Sequence, residues 1–183
     1  MSEIKILSWN IGGGKFLRLS QAQRSRYRKG LNENLFHLIE ENRPDIIVLQ
    51  EIVKYGSHLS LDNLIEVPNG YNSHYSIALD SERHTYPQKW QSFRENGGWS
   101  IDDYLGLGCG LLWRKDIAHA AIWDSKTSSK SSILETEKVH LDTGLYSGDR
   151  DTEPRLALVA HYLLFEDAIP LDIFVVNLHL TTL

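Results

Sequence analysis

Pro44-Asp45-Ile46-Ile47-Val48-Leu49-Gln50-Glu51 is the stretch on which the fold turns. Proline has no backbone N–H and disfavours helical geometry in the residue before it, so a helix arriving from upstream has ended here. Residues 46–49 are a continuous apolar run rich in β-branched side chains, the pattern of a strand buried on both faces. Upstream, Leu31, Leu35, Leu38 and Ile39 recur at helical spacing. Earlier still, Ile4-Lys5-Ile6-Leu7-Ser8-Trp9 reads as a strand that stops at Asn10 and the Gly12-Gly13-Gly14 run. Strand, helix and strand within about fifty residues make a βαβ unit, whose two strands run parallel. Both apolar runs are therefore expected to end at one edge of one sheet, delivering Asn10 and Glu51 there.

The remainder is less regular. Residues 71–79 and 109–113 read as strands, the second introduced by Gly106, Gly108 and Gly110. Between them, 80–105 is a long irregular stretch whose five aromatics, Tyr86, Trp90, Phe93, Trp99 and Tyr104, argue for order rather than disorder. A second irregular stretch, 124–153, carries a Ser/Thr/Lys-rich patch expected to be a mobile surface loop. Residues 155–165 and 171–180 then read as the strands of a hairpin. No internal repeat is present. More strands than helices after a βαβ start gives an α/β class with mixed sheets.

Length and composition limit the possibilities. The chain has 183 residues and a formal net charge of −5, with 42% hydrophobic and 23% charged residues. That length suits one domain, and the acidic balance restricts any grip on polyanions to a local patch. Such a patch is available: between Glu3 and Glu33 no acidic residue occurs, while Lys5, Lys15, Arg18, Arg24, Arg26, Arg28 and Lys29 supply seven cations. A single cysteine, Cys109, excludes a disulfide framework and multi-cysteine zinc sites. No apolar h-region opens the chain and no run is long enough to span a membrane, so a cytoplasmic location is expected.

Several motifs fail. The glycines after Asn10 lack the third glycine of a dinucleotide fingerprint, and Lys15 lacks the spacing and Ser/Thr of a P-loop. The histidines form no zinc pair on a helix, and no nucleophile elbow occurs. What is left is a set of polar residues at strand ends. Glu51 and Asn10 offer a carboxylate and an amide oxygen, hard ligands of the kind Mg²⁺ takes. Alternation along the last strand puts Leu171, Ile173, Val175, Asn177 and His179 on one face, an amide two residues before an imidazole. Arg155 starts the preceding strand, so a hairpin brings it near His179. A cation and an imidazole at one sheet edge suit a phosphate. Each residue also has an ordinary reading: Glu51 as a solvated strand end, Asn10 as a turn residue, His179 as a core histidine bonded to a carbonyl.

Taken in order, Ile6-Leu7-Ser8-Trp9-Asn10, Pro44-Asp45-Ile46-Ile47-Val48-Leu49-Gln50-Glu51, Gly108-Cys109-Gly110-Leu111-Leu112 and Val175-Val176-Asn177-Leu178-His179-Leu180 resemble the endonuclease/exonuclease/phosphatase superfamily. The resemblance implies a two-sheet α/β/β/α sandwich of mixed strands with outer helices. It implies Mg²⁺- or Mn²⁺-dependent hydrolysis of a phosphate ester, with a nucleic-acid phosphodiester favoured over a phospholipid or inositol phosphate. By the same resemblance Glu51 is a metal ligand, Asn10 lies at the metal, His179 is the catalytic histidine, and Arg155 and Asn177 contact substrate. Family members carry a Gly-Asp-Phe-Asn-like and a Ser-Asp-His segment after the histidine strand, and neither occurs before Leu183. The expectation is one domain, 1–183, lacking its C-terminal part and nearly inactive alone. The alternative is a non-catalytic module that keeps the fold and binds phosphate or nucleic acid.

Overall fold

The computed structural model describes residues 3–57, 59–82, 87–116, 119–122, 138–141, 155–166 and 169–178. Strand β1 (Ile6–Asn10) pairs in parallel with β2 (Ile46–Ser57), from Ile6 opposite Ile46 to Asn10 opposite Gln50. Between them lie two helices, α1 (Gly13–Leu17) and α2 (Gln21–Asn42). The longer one ends just ahead of Pro44, with Arg43 in the left-handed region at φ 46°. The βαβ unit therefore forms as its sequence predicts.

On its other edge β2 pairs antiparallel with β5 (Tyr104–Arg114), which pairs antiparallel with β4 (Tyr71–Asp80). A short strand, β3 (Ser60–Asn63), folds back on the far end of β2 from Lys54 onward. The first sheet is thus mixed. A second sheet is built on the long strand β8 (Arg155–Glu166), flanked by β6 (His119–Ile122), β7 (Lys138–Leu141) and β9 (Ile169–Leu178), all antiparallel. The expected hairpin is β8–β9. The expected irregular stretch 80–105 instead contains a helix, α3 (Pro87–Gly97), which buries Trp90 and Phe93 one turn apart. Within 124–153, β7 is ordered into the second sheet, and the Ser/Thr/Lys-rich patch lies outside the described residues.

Alternation along β2 explains the layering. Ile46 and Val48 face the second sheet and share a core with Leu111, Trp113, Leu158 and Tyr162. Ile47 and Leu49 face the helices and pack with Phe16, Leu17, Leu35 and Phe93. All three described helices cover this side. The architecture is therefore α/β with two facing sheets and helices outside, the class read from the sequence. No described helix is long and apolar enough to cross a membrane.

Candidate active site

Strand β2 does not end at Leu49, as its polar Gln50-Glu51 continuation suggested, but runs on to Ser57 through a β-bulge. Gln50 stands opposite Cys109 and Ile52 opposite Gly108, which leaves Glu51 as the extra residue. Its φ is 55°, a left-handed conformation that costs a side chain-bearing residue of order 1 kcal/mol or more. At the bulge the strict alternation lapses, and Ile52 and Val53 both pack among the helix-side core residues.

The bulge lies in a gap. On this edge of β2, β1 pairs as far as Gln50 and β3 begins at Lys54. The N-terminal end of α1 fills the space between. Ile11 N–H donates to Gln50 O at 3.1 Å, extending the ladder one step past β1. A Cβ on Gly13 would stand 2.0 Å from the Glu51 carbonyl oxygen and 2.5 Å from Val53 Cγ2, so only glycine fits. Gly14 N–H donates to Glu51 Oε2 at 3.1 Å, and Asn10 Nδ2 donates to Glu51 Oε1 at 3.1 Å. Asn10 Oδ1 accepts from Gly12 N–H at 2.9 Å.

These bonds fix the Asn10 amide. Its oxygen meets a backbone donor and its nitrogen a carboxylate, and the reverse orientation would set donor against donor. The Asn10 amide oxygen therefore takes the Gly12 N–H and its nitrogen bonds Glu51. Tyr27 closes the loop from α2, its hydroxyl donating to Ile11 O at 2.8 Å. The Tyr27 phenol is pushed above its ordinary pKa first by burial and second by the charge of Glu51.

Asn177 approaches the same stretch of β2 from the second sheet. It is 1% exposed, so the amide expected to touch substrate lies between the sheets. Its Nδ2 donates to Leu49 O and to Gly110 O, both at 2.9 Å, and its Oδ1 accepts from Gln50 Nε2 at 2.8 Å. Period-two alternation on β9 holds: Val175 and Asn177 are buried, while Phe174 and Val176 are exposed. Arg155 is the first residue of β8, and the end of β9 runs beside it, with Leu178 opposite Ala157. His179 lies outside the described residues.

Asn10 and Glu51 are therefore brought together, and the end of β9 is brought to the same turn of chain through Asn177. The groups missed by the sequence reading are Gly13, the Gly14 N–H, Gln50 and Tyr27. Their one visible signal was three consecutive glycines directly after a strand, which marks close approach of two backbones. Among the described residues no group of three or more His, Cys, Asp or Glu side chains gathers around a metal-sized site. Glu51 is a single hard carboxylate at the surface, and that fits Mg²⁺, which is commonly held by one or two carboxylates with water and substrate phosphate completing its shell.

The sequence model of the Endonuclease/Exonuclease/phosphatase family matches residues 7–169, a span that contains Asn10, Glu51 and Arg155 and stops short of Asn177. No curated protein matches the sequence. Among solved structures, the chain is similar to the crystal structure of humanized D. rerio TDP2 carrying 14 mutations, at 14% identity and a TM-score of 0.39. That alignment covers 94% of this chain and 46% of the other, so the chain spans less than half the length of that structure. With the family match running through most of the sequence, the chain belongs to the endonuclease/exonuclease/phosphatase family.

Proposed function

We propose that this chain is the metal-binding part of a phosphodiesterase acting on nucleic acid, with Mg²⁺ or Mn²⁺ held by Glu51. The observation that carries the reading is the Glu51 bulge: a carboxylate kept in a strained backbone conformation, with both oxygens oriented by Asn10 Nδ2 and Gly14 N–H. A divalent cation supplies charge neutralisation on the phosphoryl oxygens and capture of the leaving oxygen. Asn10 and Gly14 hold the carboxylate in place, so little rearrangement is needed when the cation binds. Asn177 is a positioning residue that fixes the main chain at Leu49 and the side chain at Gln50. Two residues further along the chain, His179 serves as the group that binds or protonates the phosphoryl oxygen. Arg155 neutralises the phosphate from the neighbouring strand. The 183 residues hold no Gly-Asp-Phe-Asn or Ser-Asp-His segment to orient a water.

Manganese titration followed by electron paramagnetic resonance, with hydrolysis of a labelled oligonucleotide measured in parallel, tests this. One weak site is expected, lost in Glu51→Gln, and residual hydrolysis should vanish with chelator and fall about 100-fold in His179→Ala, the scale of a lost general acid. Manganese binding and hydrolysis unchanged in Glu51→Gln would overturn the assignment.

A further inference from the structure

The basic N-terminal segment divides sharply once its partners are known. Arg24 is stacked 3.6 Å from the Trp99 ring centroid and donates to Leu19 O and Gly97 O, which locks α2 to the end of α3. Arg28 pairs with Asp62 and Glu66 at 3.6 Å each, and Lys29 with Glu33 at 3.7 Å. Those three cations are absorbed by the fold. Lys15 and Arg18 are exposed and make no ion pair among the described residues. They stand three positions apart along α1 and its C-cap, on one side of the turn.

Both are held by aromatic rings, which anchor a cation without neutralising it. The Lys15 ammonium lies 5.9 Å from the Tyr27 ring centroid, and Tyr27 is the residue that closes the Glu51 loop. The Arg18 guanidinium lies 5.3 Å from the Phe93 ring centroid, and the Lys89 ammonium on α3 lies 6.0 Å from the same ring. Lys15 and Arg18 thus form a row that starts beside Glu51, since Lys15 follows directly on the Gly14 N–H bound to it, and reaches α3 through the Phe93 ring. In a chain of net charge −5 such a row is a local field of the opposite sign.

We infer that Lys15 and Arg18 are the binding residues for the phosphates that flank the scissile one along a nucleic-acid strand. Lys15 and Arg18, held three positions apart on two different rings, match successive phosphates of a repeating chain. A lipid surface would call for apolar side chains presented on α3, and there Trp90 and Phe93 are buried at 4% and 1% exposure. The inference rests on the reading of Glu51 as the phosphodiesterase centre, but its test reads binding alone.

Anisotropy of a labelled single-stranded oligonucleotide, measured with calcium in place of magnesium between about 50 and 200 mM salt, gives the slope of log K against log salt. Lys15→Ala and Arg18→Ala should each make that slope shallower by about 0.7, the value for one released counterion on a single strand, and the double variant by about twice that. Lys15→Arg should keep the slope, as should Arg26→Ala, an exposed cation on α2. Slopes unchanged in the alanine variants overturn the inference even if the wild-type chain hydrolyses the oligonucleotide. Shallower slopes with no metal-dependent hydrolysis sustain strand binding by Lys15 and Arg18 and defeat the catalytic reading instead. Equal loss of binding to anionic phospholipid vesicles in Lys15→Ala would overturn the assignment to nucleic acid.

Discussion

Gly13→Ala puts one methyl group where the structure has no room for it. Its Cβ would lie 2.0 Å from the Glu51 carbonyl oxygen and 3.0 Å from the Glu51 carbonyl carbon, both backbone atoms of a central strand, and 2.5 Å from Val53 Cγ2. A flexible side chain can move aside, but β2 is held on its other edge by β5 and cannot. The beginning of α1 must therefore lift away. Overpacking of this kind costs about 1–3 kcal/mol. Lifting also breaks the Gly14 N–H bond to the Glu51 carboxylate, worth about 1.5–3 kcal/mol for a charged acceptor. Taking the low ends together, a loss of about 2.5 kcal/mol is expected, or roughly 5–10 °C in Tm for a chain of this size. Gly30→Ala is the internal control. It lies inside α2, and a Cβ there meets no atom within 4 Å. The same substitution should there raise stability by about 0.5–1 kcal/mol, because alanine loses less conformational freedom in a helix. Urea unfolding of the two variants gives opposite signs if the contacts are as described. A Gly13→Ala loss below about 1 kcal/mol would show that the close approach of α1 to the bulge is not a feature of the folded protein.

Asn177→Ala removes a donor from Leu49 O and from Gly110 O and the acceptor from Gln50, and should cost about 2–4 kcal/mol in urea unfolding by deleting three hydrogen bonds between the sheets. Arg43→Gly relieves a left-handed residue at the end of α2 and should stabilise by about 1 kcal/mol in the same assay. Burial pushes the Tyr75 phenol up to about 12 and raises that of Tyr162 as well, from an ordinary 10.0. Above the unfolded value the unfolded chain releases these protons while the folded one keeps them, so stability is complete below pH ~10 and declines through about 12. Unfolding free energy followed across that window should fall less steeply in Tyr75→Phe, and an equally steep fall would place Tyr75 in contact with solvent.

Much of this fold is legible in the residues. The run from Ile46 to Leu49, the leucines of α2 and the stop at Pro44 give the βαβ unit, because each signal is local and all agree. Period-two alternation places Val175 and Asn177 on the inner face of β9. Alternation supplies a face and not a partner, however, so it could not show that Asn177 ends on Leu49 O rather than in a pocket. Gln50-Glu51 reads as a strand end because two polar residues follow a buried run. The strand continues because one residue is bulged out, and that depends on α1 packing against it, a contact between distant parts of the sequence. In α3, the apolar stripe is only Trp90 and Phe93 among polar neighbours, too thin to read as a helix without the cavity it fills.

The energetics at Glu51 explain why Asn10 and the glycines follow one another where they do. A left-handed glutamate is unfavourable by of order 1 kcal/mol or more, and glycine at the same place would carry no such penalty. The structure keeps the glutamate and restrains it from several sides. Gly13 presses on its carbonyl, Gly14 and Asn10 bond its two carboxylate oxygens, Ile11 bonds the preceding carbonyl, and Asn177 holds Leu49 from the opposite sheet. Two hydrogen bonds to a charged acceptor offset the backbone strain, since each contributes more than a neutral one. A carboxylate serving only as a solvated strand end would need none of these restraints, and the bulge would be less costly with glycine. Strain persists where surrounding contacts over-determine it. Here those contacts converge on two carboxylate oxygens at the end of β1, and the same loop carries Lys15 and Arg18 outward from them. Asn10 and Gly14, which bond the carboxylate, and the exposed cations Lys15 and Arg18 are thus contiguous in the chain from Asn10 to Arg18, at the end of β1 and in the short segment before α2.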